Sequence, residues 1–537
     1  MSAALPRRAP SDQDSFEPQL VTALKAGYSL PALKVDAIAG LTVAIVALPL
    51  SMAIAIASGA QPSQGLITAV IGGFLISALG GSRYQVGGPA GAFIVLVAAT
   101  IEHAGYGGFL TATILAGVML LGIGYLSLGG LIKFIPHAVI VGFSAGIAVI
   151  IGASQLKDFF GLTLAHEPAA FLPKLEALWG ARATFSFTAF ALSLVCMAII
   201  IALRVARPRW PGFIVAVIFG SVVVWLLKLP VETIGTRFGG IPSSFPLPTL
   251  PDLNPETILA VFPAAITIAL LGGIESLLSA VVADSMTGTR HRPNAEIVAQ
   301  GFANIATALF GGICATGTIA RTATNIRARA ATPVSGILHS LFVLGFILLA
   351  APLASYIPLS ALAAILTMVV WNMADKHEFM QILKHDRADT AVLLTTFLLT
   401  IFIDLPTGIG AGVSLGAIIF MYRVAQTSAA DIANTGAETP TVALKGVLFT
   451  GTMGKVADEL ALVEPKGPKI IVDLDQVFMA DASSVPVLMA FILRMRRLGT
   501  EVTFFHTKPA VMRVLQRDGI PAELFVELNA SLHPEIS

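Results

Sequence analysis

The 537-residue sequence contains very little charge. Asp, Glu, Lys and Arg together make up 12% of the residues, whereas soluble domains carry roughly 25%. The formal net charge is only +1, which argues against a nucleic-acid partner, because such partners require a strongly basic surface. Since 55% of the residues are hydrophobic, we expect an integral membrane protein whose main surroundings are the lipid bilayer.

Cysteines are scarce and catalytic motifs are missing. Cys196 and Cys314 are in or beside apolar segments, a pattern that excludes a disulfide framework and gives no metal motif. The stretch GTMGKV fails as a phosphate-binding loop, because Phe449 replaces its first glycine and Val456 follows the lysine. With no nucleophile–base pair or metal cluster recognisable, we predict neither an enzyme nor a cofactor.

Long apolar runs dominate the sequence up to about residue 427. A run of about 20 residues can cross ~30 Å of hydrocarbon as a helix. The predicted full spans are 37–58, 63–81, 108–127, 130–152, 184–205, 211–228, 256–280, 294–312, 332–353, 358–373, 388–404 and 406–426. The segments 88–103 and 316–330 are too short or too polar to cross alone, and counting them gives fourteen elements. Because this number is even, both chain ends are predicted on one side.

Basic residues indicate which side that is. Lys25 and Lys34 precede the first span, and Arg290 and Arg292 follow the eighth element. By the positive-inside rule, these loops lie in the cytoplasm. We therefore predict a multi-pass protein of the cell (inner) membrane with both termini cytoplasmic. The opposite loop 158–183 contains Lys174 and Arg182, so the bias is incomplete.

The two ends of the chain differ from this apolar region. Residues 1–35 lack a short apolar core with a cleavage site, so we expect a polar cytoplasmic leader and not a cleaved signal peptide. The predicted membrane domain is 36–426, followed by a linker at 427–439. Residues 440–537 alternate between strand and helix patterns, for example TVALKGVLF, KIIVDLDQV and VPVLMAFILRMRRLG. This alternation predicts a small cytoplasmic α/β domain.

The membrane region contains an internal repeat. The stretch ALGGSRYQVGGPAGAF (78–93) resembles ALFGGICATGTIARTA (308–323), and FIPHAV (134–139) resembles YIPLSA (356–361). Seven elements separate the two copies, and an odd number inverts the second copy across the membrane. Inverted repeats with interrupted helices are typical of secondary transporters.

The repeated polar stretches predict an anion site. Non-helical backbone at membrane depth is tolerated only where it is buried inside the protein or lines a water-filled cavity. Two short helices beginning there would direct their positive N-termini at one point. Arg321 would add a charge suited to carboxylate or sulfate, and Gly87, Gly88 and Gly317 would allow close backbone approach. Alternatively, the glycines serve helix packing and Arg321 extends to the cytoplasmic edge.

Two further titratable residues have alternative interpretations. Glu275 lies in an otherwise apolar span beside Ser276 and close to Ser279, and carboxylates at such depth face a cavity or a partner. It could carry a proton, bind sodium, or form a structural tie to Arg321 or a backbone N–H. His137 is interpreted as a proton relay or as a solvated histidine near a helix end.

Four motifs resemble the sulfate permease (SulP) family of anion transporters. They are AGLTVAIVALPLSMAIAIASG, GGSRYQVGGPAGAF, GIESLLSAVVADSMTGTRHRPNAEIVAQGFANI and ATGTIARTATNIR, and the tail resembles the STAS domain that ends these proteins. The resemblance implies a polytopic α-helical membrane protein of fourteen segments in two inverted repeats of seven. It also implies a core domain moving against a gate domain, an α/β STAS domain and a homodimer.

The resemblance also implies roles for individual residues. Substrate would lie between the third and tenth segments, giving as binding residues Gly88, Ala92, Phe93, Thr316, Gly317, Thr318 and Arg321. Glu275 and Ser279 match the ion-coupling position of the eighth segment, with Na⁺ or H⁺ as the coupling ion. Ser483 matches a regulatory serine of the STAS loop, although Ser484 replaces the glycine of that loop.

The predicted function is therefore secondary active anion transport. Sulfate, C4-dicarboxylate and bicarbonate all fit helix N-termini plus one arginine, and Leu50 after Pro49 resembles the bacterial branch that includes C4-dicarboxylate carriers. The alternatives are a STAS-centred membrane anchor or sensor without net transport, and a nucleobase permease of the same architecture.

Overall fold

The computed structural model describes residues 15–130, 135–164, 167–207, 210–427, 429–433, 440–464 and 467–526. It divides into two compact units, Met1–Val413 and Ser414–Ser537. The predicted leader and linker lie partly outside the described residues. The bounds of the four segments taken from the sequence therefore stay predictions.

The first unit is helical, and its last helix extends beyond Val413 into the second unit. Its helices are α1 (Gln19–Lys25), α2 (Leu30–Ala57), α3 (Pro62–Leu79), α4 (Ile94–Tyr125), α5 (His137–Phe160), α6 (Phe171–Gly180), α7 (Phe187–Ala206), α8 (Gly212–Leu227), α9 (Ile234–Phe238), α10 (Pro255–Thr287), α11 (Pro293–Leu309), α12 (Ile319–Arg327), α13 (Val334–Ala354), α14 (Leu359–Met373), α15 (Lys376–His385), α16 (Arg387–Phe402) and α17 (Leu405–Thr427). Two short strands, β1 (Gly87–Gly88) and β2 (Thr316–Gly317), interrupt this series. Within the described residues, nine helices are long and apolar enough to cross a membrane.

Local sequence signals explain where the long helices begin and end. The Asn254 side chain caps α10 by accepting from the Thr257 N–H, and Pro255 occupies the first helical position. Gly288 then ends α10 in the left-handed conformation, and Gly161 ends α5 in the same way. These are the residues that helix termini favour, because proline needs no N–H partner and glycine tolerates positive φ.

The helices form two bundles with matching internal contacts. In the first bundle, α2 and α3 pack against α13, and α10 and α11 pack against α4. In the second bundle, α5 packs against α16, and α14 packs against α7. Each of these pairings joins one half of the chain to the other, and in the fourteen-element count each has a counterpart in which both partners are shifted by seven elements. The contact pattern thus repeats the inverted symmetry predicted from the sequence.

The structure corrects several predicted elements. The span expected at 130–152 is α5, which begins at His137, because Pro136 is its N-cap with an extended ψ of 136° and proline disfavours helical backbone in the residue before it. The segments expected at 88–103 and 108–127 correspond to the two parts of α4, which a non-helical residue, Gly105, with φ of 67° and ψ of 176°, separates. The first span begins at Leu30 and not at residue 37. The short helices α1, α6, α9 and α15 were not predicted.

The second unit contains an α/β domain. Its elements are β3 (Ala429–Ala433), β4 (Thr441–Leu448), α18 (Thr450–Ala461), β5 (Lys469–Asp473), β6 (Val477–Ala480), α19 (Ser484–Arg497), β7 (Glu501–Phe505) and α20 (Pro509–Arg517). The sheet order is β3-β4-β5-β7, with β6 paired to β4. β3 is antiparallel to β4, and the other pairs are parallel.

Two details of this domain differ from the sequence prediction. KIIVDLDQV is not one strand: β5 ends at Asp473 and β6 begins at Val477, and each pairs with a different part of β4. β3 lies within the segment predicted as a linker, and all of its residues pair with β4. The second unit has its own apolar core, which contains the buried side chains of Val442 and Leu444 from β4 and of Ile470 from β5.

Candidate functional site

Two interrupted helices meet within the first bundle. β1 and β2 pair antiparallel, with Gly87 opposite Gly317 and Gly88 opposite Thr316. A 3-10 turn at Gly91–Phe93 leads from β1 into α4, and Thr318 precedes the first residue of α12. The first N–H groups of each helix have no partner within the helix. The structure therefore brings two helix N-termini to the place where the extended segments β1 and β2 pair, which we call the crossing.

Threonine side chains hold this crossing together. The backbone N–H and the hydroxyl of Thr318 both donate to the Val86 carbonyl at 3.2 Å. The Val86 N–H in turn donates to Thr322 Oγ1 at 3.2 Å, and Thr316 Oγ1 donates to the Gly272 carbonyl at 3.1 Å. These bonds fix the beginning of α12 to the approach to α4 and to α10.

Glycine is required at two positions of the crossing. Gly88 has φ of 152°, and a Cβ atom there would lie 1.9 Å from Arg321 Nη1. A Cβ on Gly317 would lie 1.5 Å from Gln85 Nε2. Glycine thus allows protein side chains to lie against the backbone at both positions, whereas the close approach of a substrate to Gly87, Gly88 and Gly317 stays a prediction.

Arg321 is buried beneath the crossing, with 1% of its surface exposed. Its Nη1 donates to the Gly87 carbonyl at 3.2 Å, and its Nη2 donates to Ser51 Oγ at 3.0 Å and to the Pro89 carbonyl at 3.3 Å. Nε has no hydrogen-bond partner within the described residues. The guanidinium thus joins α2 to β1, and this position excludes the alternative in which it extends to the cytoplasmic edge.

Glu275 belongs to the face of α10 that is turned towards this crossing. On a helix, Gly272, Glu275, Ser276 and Ser279 lie within one arc of about 100°, and Ser279 Oγ donates to Thr322 Oγ1 at 3.2 Å. Glu275 Oε2 is buried and has no hydrogen-bond partner in the part of the chain that the structure describes. No ion pair between Glu275 and Arg321 is present among the described residues. The structural tie to Arg321 is therefore not formed.

The side chains at the start of α4 point into the bundle. Phe93 is 1% exposed, and its Cζ lies 3.6 Å from the position of a Cβ on Gly272. Ala92 is also buried, whereas Ile319 at the start of α12 is 37% exposed. The role of Ala92 and Phe93 in substrate binding stays a prediction, and backbone groups are the parts of this segment suited to contact an anion.

The other predicted residues lie elsewhere. His137 contacts the Glu378 carboxylate at an exposed position near the start of α5, as expected for a solvated histidine. In the second unit, Ser483 precedes α19, where its N–H and hydroxyl donate to Asp481 Oδ1 at 2.9 and 2.5 Å. Ser483 thus acts in a local turn, and its regulatory role stays a prediction.

Several residues of this region were not identified from the sequence. Gln85, Ser51 and Glu296 are buried and hydrogen-bonded at or behind the crossing. Glu296 lies within a motif already quoted, and a carboxylate on the buried face of an apolar helix is the signal that could have found it. Gln85 and Ser51 carry no comparable signal, because both residue types are common at solvated helix ends.

Known proteins resemble most of the chain. The sequence profile of the sulfate permease family matches residues 33–396, and that of the STAS domain matches 433–533. A Bacillus subtilis protein, YvdB, whose name assigns it provisionally to sulfate transport, is 39% identical over 521 residues, covering 95% of this chain and 98% of the relative. The bicarbonate transporter BicA of a Picosynechococcus strain is 30% identical over 449 residues, covering 81% of this chain and 78% of BicA.

A solved structure supports the fold. The murine Slc26a9 anion transporter, in its inward-facing state, superposes with a TM-score of 0.83 over 96% of this chain and 93% of its own, at 16% identity. At that identity the likeness concerns the fold alone. It agrees with a multi-pass helical membrane protein that ends in a STAS domain. The family match spans more than half of the sequence, and the chain therefore belongs to the sulfate permease family of anion transporters, a family of carriers and not of enzymes.

Proposed function

We propose that this protein is a secondary active transporter of a small anion, which it binds between the beginnings of α4 and α12. The observation that carries the proposal is the crossing of β1 and β2, since it directs two helix N-termini to one point. Each N-terminus contributes about half a positive charge and free N–H donors. An anion at this point would accept hydrogen bonds from both helices.

The charge of Arg321 supports the same site. Its partners are neutral carbonyl and hydroxyl oxygens, and it forms no ion pair within the described residues. Its hydrogen bonds are directed to the protein, so its contribution to the anion is mainly electrostatic. A positive charge in a poorly hydrated site attracts an anion more strongly than it would in water.

The names of the relatives guide the choice of substrate. One relative is named for sulfate and another for bicarbonate, and a C4-dicarboxylate shares the two-oxygen groups that suit helix N-termini. We propose an anion of this group as the substrate of this chain. Glu275 is the proposed position of the coupling ion, H⁺ or Na⁺, because its Oε2 is buried beside the site and has no partner among the residues that the structure describes.

Transport by alternating access would use the two bundles. The proposed anion site belongs to the first bundle, whereas α5, α7, α14 and α16 belong to the second. Movement of the first bundle against the second would expose the site to each side in turn. We further propose that the protein lies in the inner membrane with both termini in the cytoplasm, as the basic loops predict, and that it forms a homodimer, as the family resemblance implies.

Flux measurements test this function. The purified full chain is reconstituted into liposomes, and uptake of labelled sulfate, bicarbonate and succinate is measured with separately imposed pH and sodium gradients. We expect saturable uptake of one anion, competition by its analogues and accumulation driven by one gradient. A protein that shows no flux of any of the three would contradict the proposal and favour an anchor or sensor role.

A further inference from the structure

Glu296 is a completely buried carboxylate outside the predicted site. It lies in the first turn of α11 and has 0% of its surface exposed. Its Oε2 accepts the Ser82 N–H at 3.0 Å, and its Oε1 accepts from Gln85 Nε2 at 3.1 Å, Gln300 Nε2 at 3.0 Å and Ser276 Oγ at 3.4 Å. Four donors therefore converge on a single carboxylate.

Gln85 connects this carboxylate to the crossing of β1 and β2. Its amide nitrogen lies so close to Gly317 that a Cβ there would approach it to 1.5 Å. The next residue is Val86, whose carbonyl accepts both hydrogen bonds of Thr318. A displacement of Gln85 would therefore move the approach to α4 and disturb the start of α12.

Ser276 connects the same carboxylate to α10. Gln85 Nε2 also donates to Ser276 Oγ, at 2.7 Å, so Gln85, Ser276 and Glu296 are mutually linked. Ser276 directly follows Glu275, the proposed coupling residue. The linked groups thus join α10, α11 and the loop before β1, three elements that surround the proposed anion site.

We propose that Glu296 is a positioning residue for anion binding. Its carboxylate holds Gln85 and Ser276 at the separation that the two helix N-termini and Glu275 require. This inference rests on the proposed function, because it assumes that the anion binds at the β1–β2 crossing. It assigns Glu296 no contact with the anion itself.

The chemistry of the four donors explains why a carboxylate is needed. An ionised carboxylate accepts through two oxygens with about four lone-pair sites and donates nothing. A glutamine of the same shape would replace one oxygen by an NH₂ group, so at least one present donor would face another donor. Glu296→Gln should therefore displace Ser82 or Gln85 without leaving a cavity.

Asp36 in α2 provides a matched control. Like Glu296, it is 0% exposed, and its carboxylate accepts four hydrogen bonds. The donors are the Ala331 N–H at 2.7 Å, the Thr332 N–H at 3.1 Å, Thr332 Oγ1 at 2.6 Å and Tyr28 Oη at 3.1 Å. It belongs to the same bundle, but it fixes the loop after α12 and not the crossing. Asp36→Asn therefore removes equivalent hydrogen bonds away from the anion site.

The experiment compares affinity with stability in the full chain. Half-saturation for the transported anion is measured in liposomes, and the melting temperature is measured in detergent, for the wild type, Glu296→Gln and Asp36→Asn. We expect Glu296→Gln to raise half-saturation about tenfold or more, as loss of an orienting partner does at metal sites. Asp36→Asn should lower the melting temperature similarly while changing half-saturation less than about twofold.

A double substitution tests whether Glu296 acts through Gln85. If it does, Gln85→Ala alone should raise half-saturation, and adding Glu296→Gln should raise it little further, because coupled residues are not additive. Should Glu296→Gln fail to fold, Gln85→Ala and Ser276→Ala still test the linkage from the other end, and unchanged half-saturation in both would overturn the proposal.

The outcomes separate this inference from the proposed function. Saturable uptake by the wild type, with unchanged half-saturation in Glu296→Gln and a fall in melting temperature like that of Asp36→Asn, would overturn the positioning role alone. Fully additive effects of Glu296→Gln and Gln85→Ala would also overturn it. If the wild type binds no anion, both the proposed function and this inference fail.

Discussion

Arg321 shows how one residue can serve structure and electrostatics together. From the sequence, an arginine in a polar membrane segment indicates an anion site or an extension towards water. In the structure its guanidinium donates to β1, to the loop after β1 and to α2. Its charge is therefore held at the site by the same hydrogen bonds that stabilise the crossing.

Replacement of Arg321 should consequently affect both stability and binding. Arg321→Ala removes three hydrogen bonds, and each bond to a charged group contributes about 1.5–3 kcal/mol before structural relaxation. We expect a lower melting temperature together with weaker anion binding, measured by thermal unfolding and by half-saturation of uptake. Ser51→Ala removes only one of the bonds and should have a smaller effect on both quantities.

Arg321→Lys separates the two contributions. Lysine keeps the charge but cannot reproduce the planar donor geometry of arginine. If charge alone matters for the anion, this variant should bind better than Arg321→Ala while remaining less stable than the wild type. Equal half-saturation in Arg321→Ala and the wild type would refute an electrostatic role for Arg321.

Gly88 provides a second prediction for a single residue. Gly88→Ala combines a disfavoured backbone angle with a Cβ 1.9 Å from Arg321 Nη1, so it should displace the guanidinium and weaken anion binding. Gly105→Ala is the control, since Gly105 also has positive φ, at 67°, but nothing lies within 4 Å of its Cβ position. The control should lose only the cost of its backbone conformation, about 1–3 kcal/mol, because φ of 67° with ψ of 176° is a combination adopted almost only by glycine.

The measurement for both glycine variants is again melting temperature and half-saturation. A Gly88→Ala variant that loses no more affinity than Gly105→Ala would show that close packing against Arg321 is unimportant. The need for glycine at the crossing could be predicted from the sequence. Its closest neighbours, Arg321 at Gly88 and Gln85 at Gly317, could not, because over 230 residues separate Gln85 and Gly317 in the chain.

At the level of helices, the sequence predicted long apolar elements better than short polar ones. The ends of α3, α8, α14 and α16 lie within a few residues of the predicted spans, because hydrophobicity and proline or glycine mark them. α6 and α15 were missed, since they have mixed composition and no continuous apolar run. α5 was displaced because apolar residues extend before Pro136, and hydropathy alone does not show where a helix begins.

The prediction on ion coupling concerns Glu275 in α10. Glu275→Gln keeps the volume and one oxygen but loses the charge, so it should abolish uptake against a gradient while allowing downhill exchange. The measurement is uptake with pH and sodium gradients imposed separately. Glu256→Gln is the control, because Glu256 lies exposed in the first turn of the same helix.

Two results would leave Glu275 without a coupling role. One is wild-type uptake that responds to neither gradient. The other is a Glu275→Gln variant that still concentrates the anion. Either result would leave its buried Oε2 to be explained by a structural contact, for example with an ordered water.

The segment between α1 and α2 has a predictable pH dependence. Burial, followed by the negative charge and hydrogen bond of Asp36, raises the pKa of Tyr28 to about 12. The pKa in the unfolded chain is about 10, so the folded state binds the proton more tightly. The stability contributed by Tyr28 is therefore complete below pH ~10 and is lost as the pH rises towards 12.

Tyr28→Phe tests this pH dependence. The variant lacks the titrating hydroxyl, so its melting temperature should fall less steeply than that of the wild type between pH 9.5 and pH 11.5. Below pH 9 the two proteins should differ by a constant amount. Parallel curves across the alkaline range would show that Tyr28 titrates alike in the folded and unfolded chain.

At the level of the whole molecule, symmetry was the most informative feature of the sequence. Two short resemblances seven elements apart predicted an inverted repeat, and the contacts of α2 with α13 and of α4 with α10 reproduce it. The buried network of Gln85, Ser276 and Glu296 was not predictable in this way. It depends on the register of three distant segments, and periodicity within one segment contains no information about that register.

The separate core of the second unit leads to a prediction about truncation. β3 and β4 pair over five residues, so a cut after residue 439 would remove β4 and leave β3 with an open edge. Open strand edges promote aggregation. A cut after Thr427 coincides with the end of α17 and removes the complete sheet.

The two truncated proteins should therefore behave differently. Residues 1–427 should elute as a single species in detergent and bind the anion with the half-saturation of the full chain, because the proposed site lies wholly in the first unit. Residues 1–439 should aggregate more, as size-exclusion chromatography would show. Transport rate or dimerisation can change in both without contradicting this expectation. Aggregation of 1–427 under conditions that keep the full chain monodisperse would instead show that the membrane domain depends on the α/β domain for its stability.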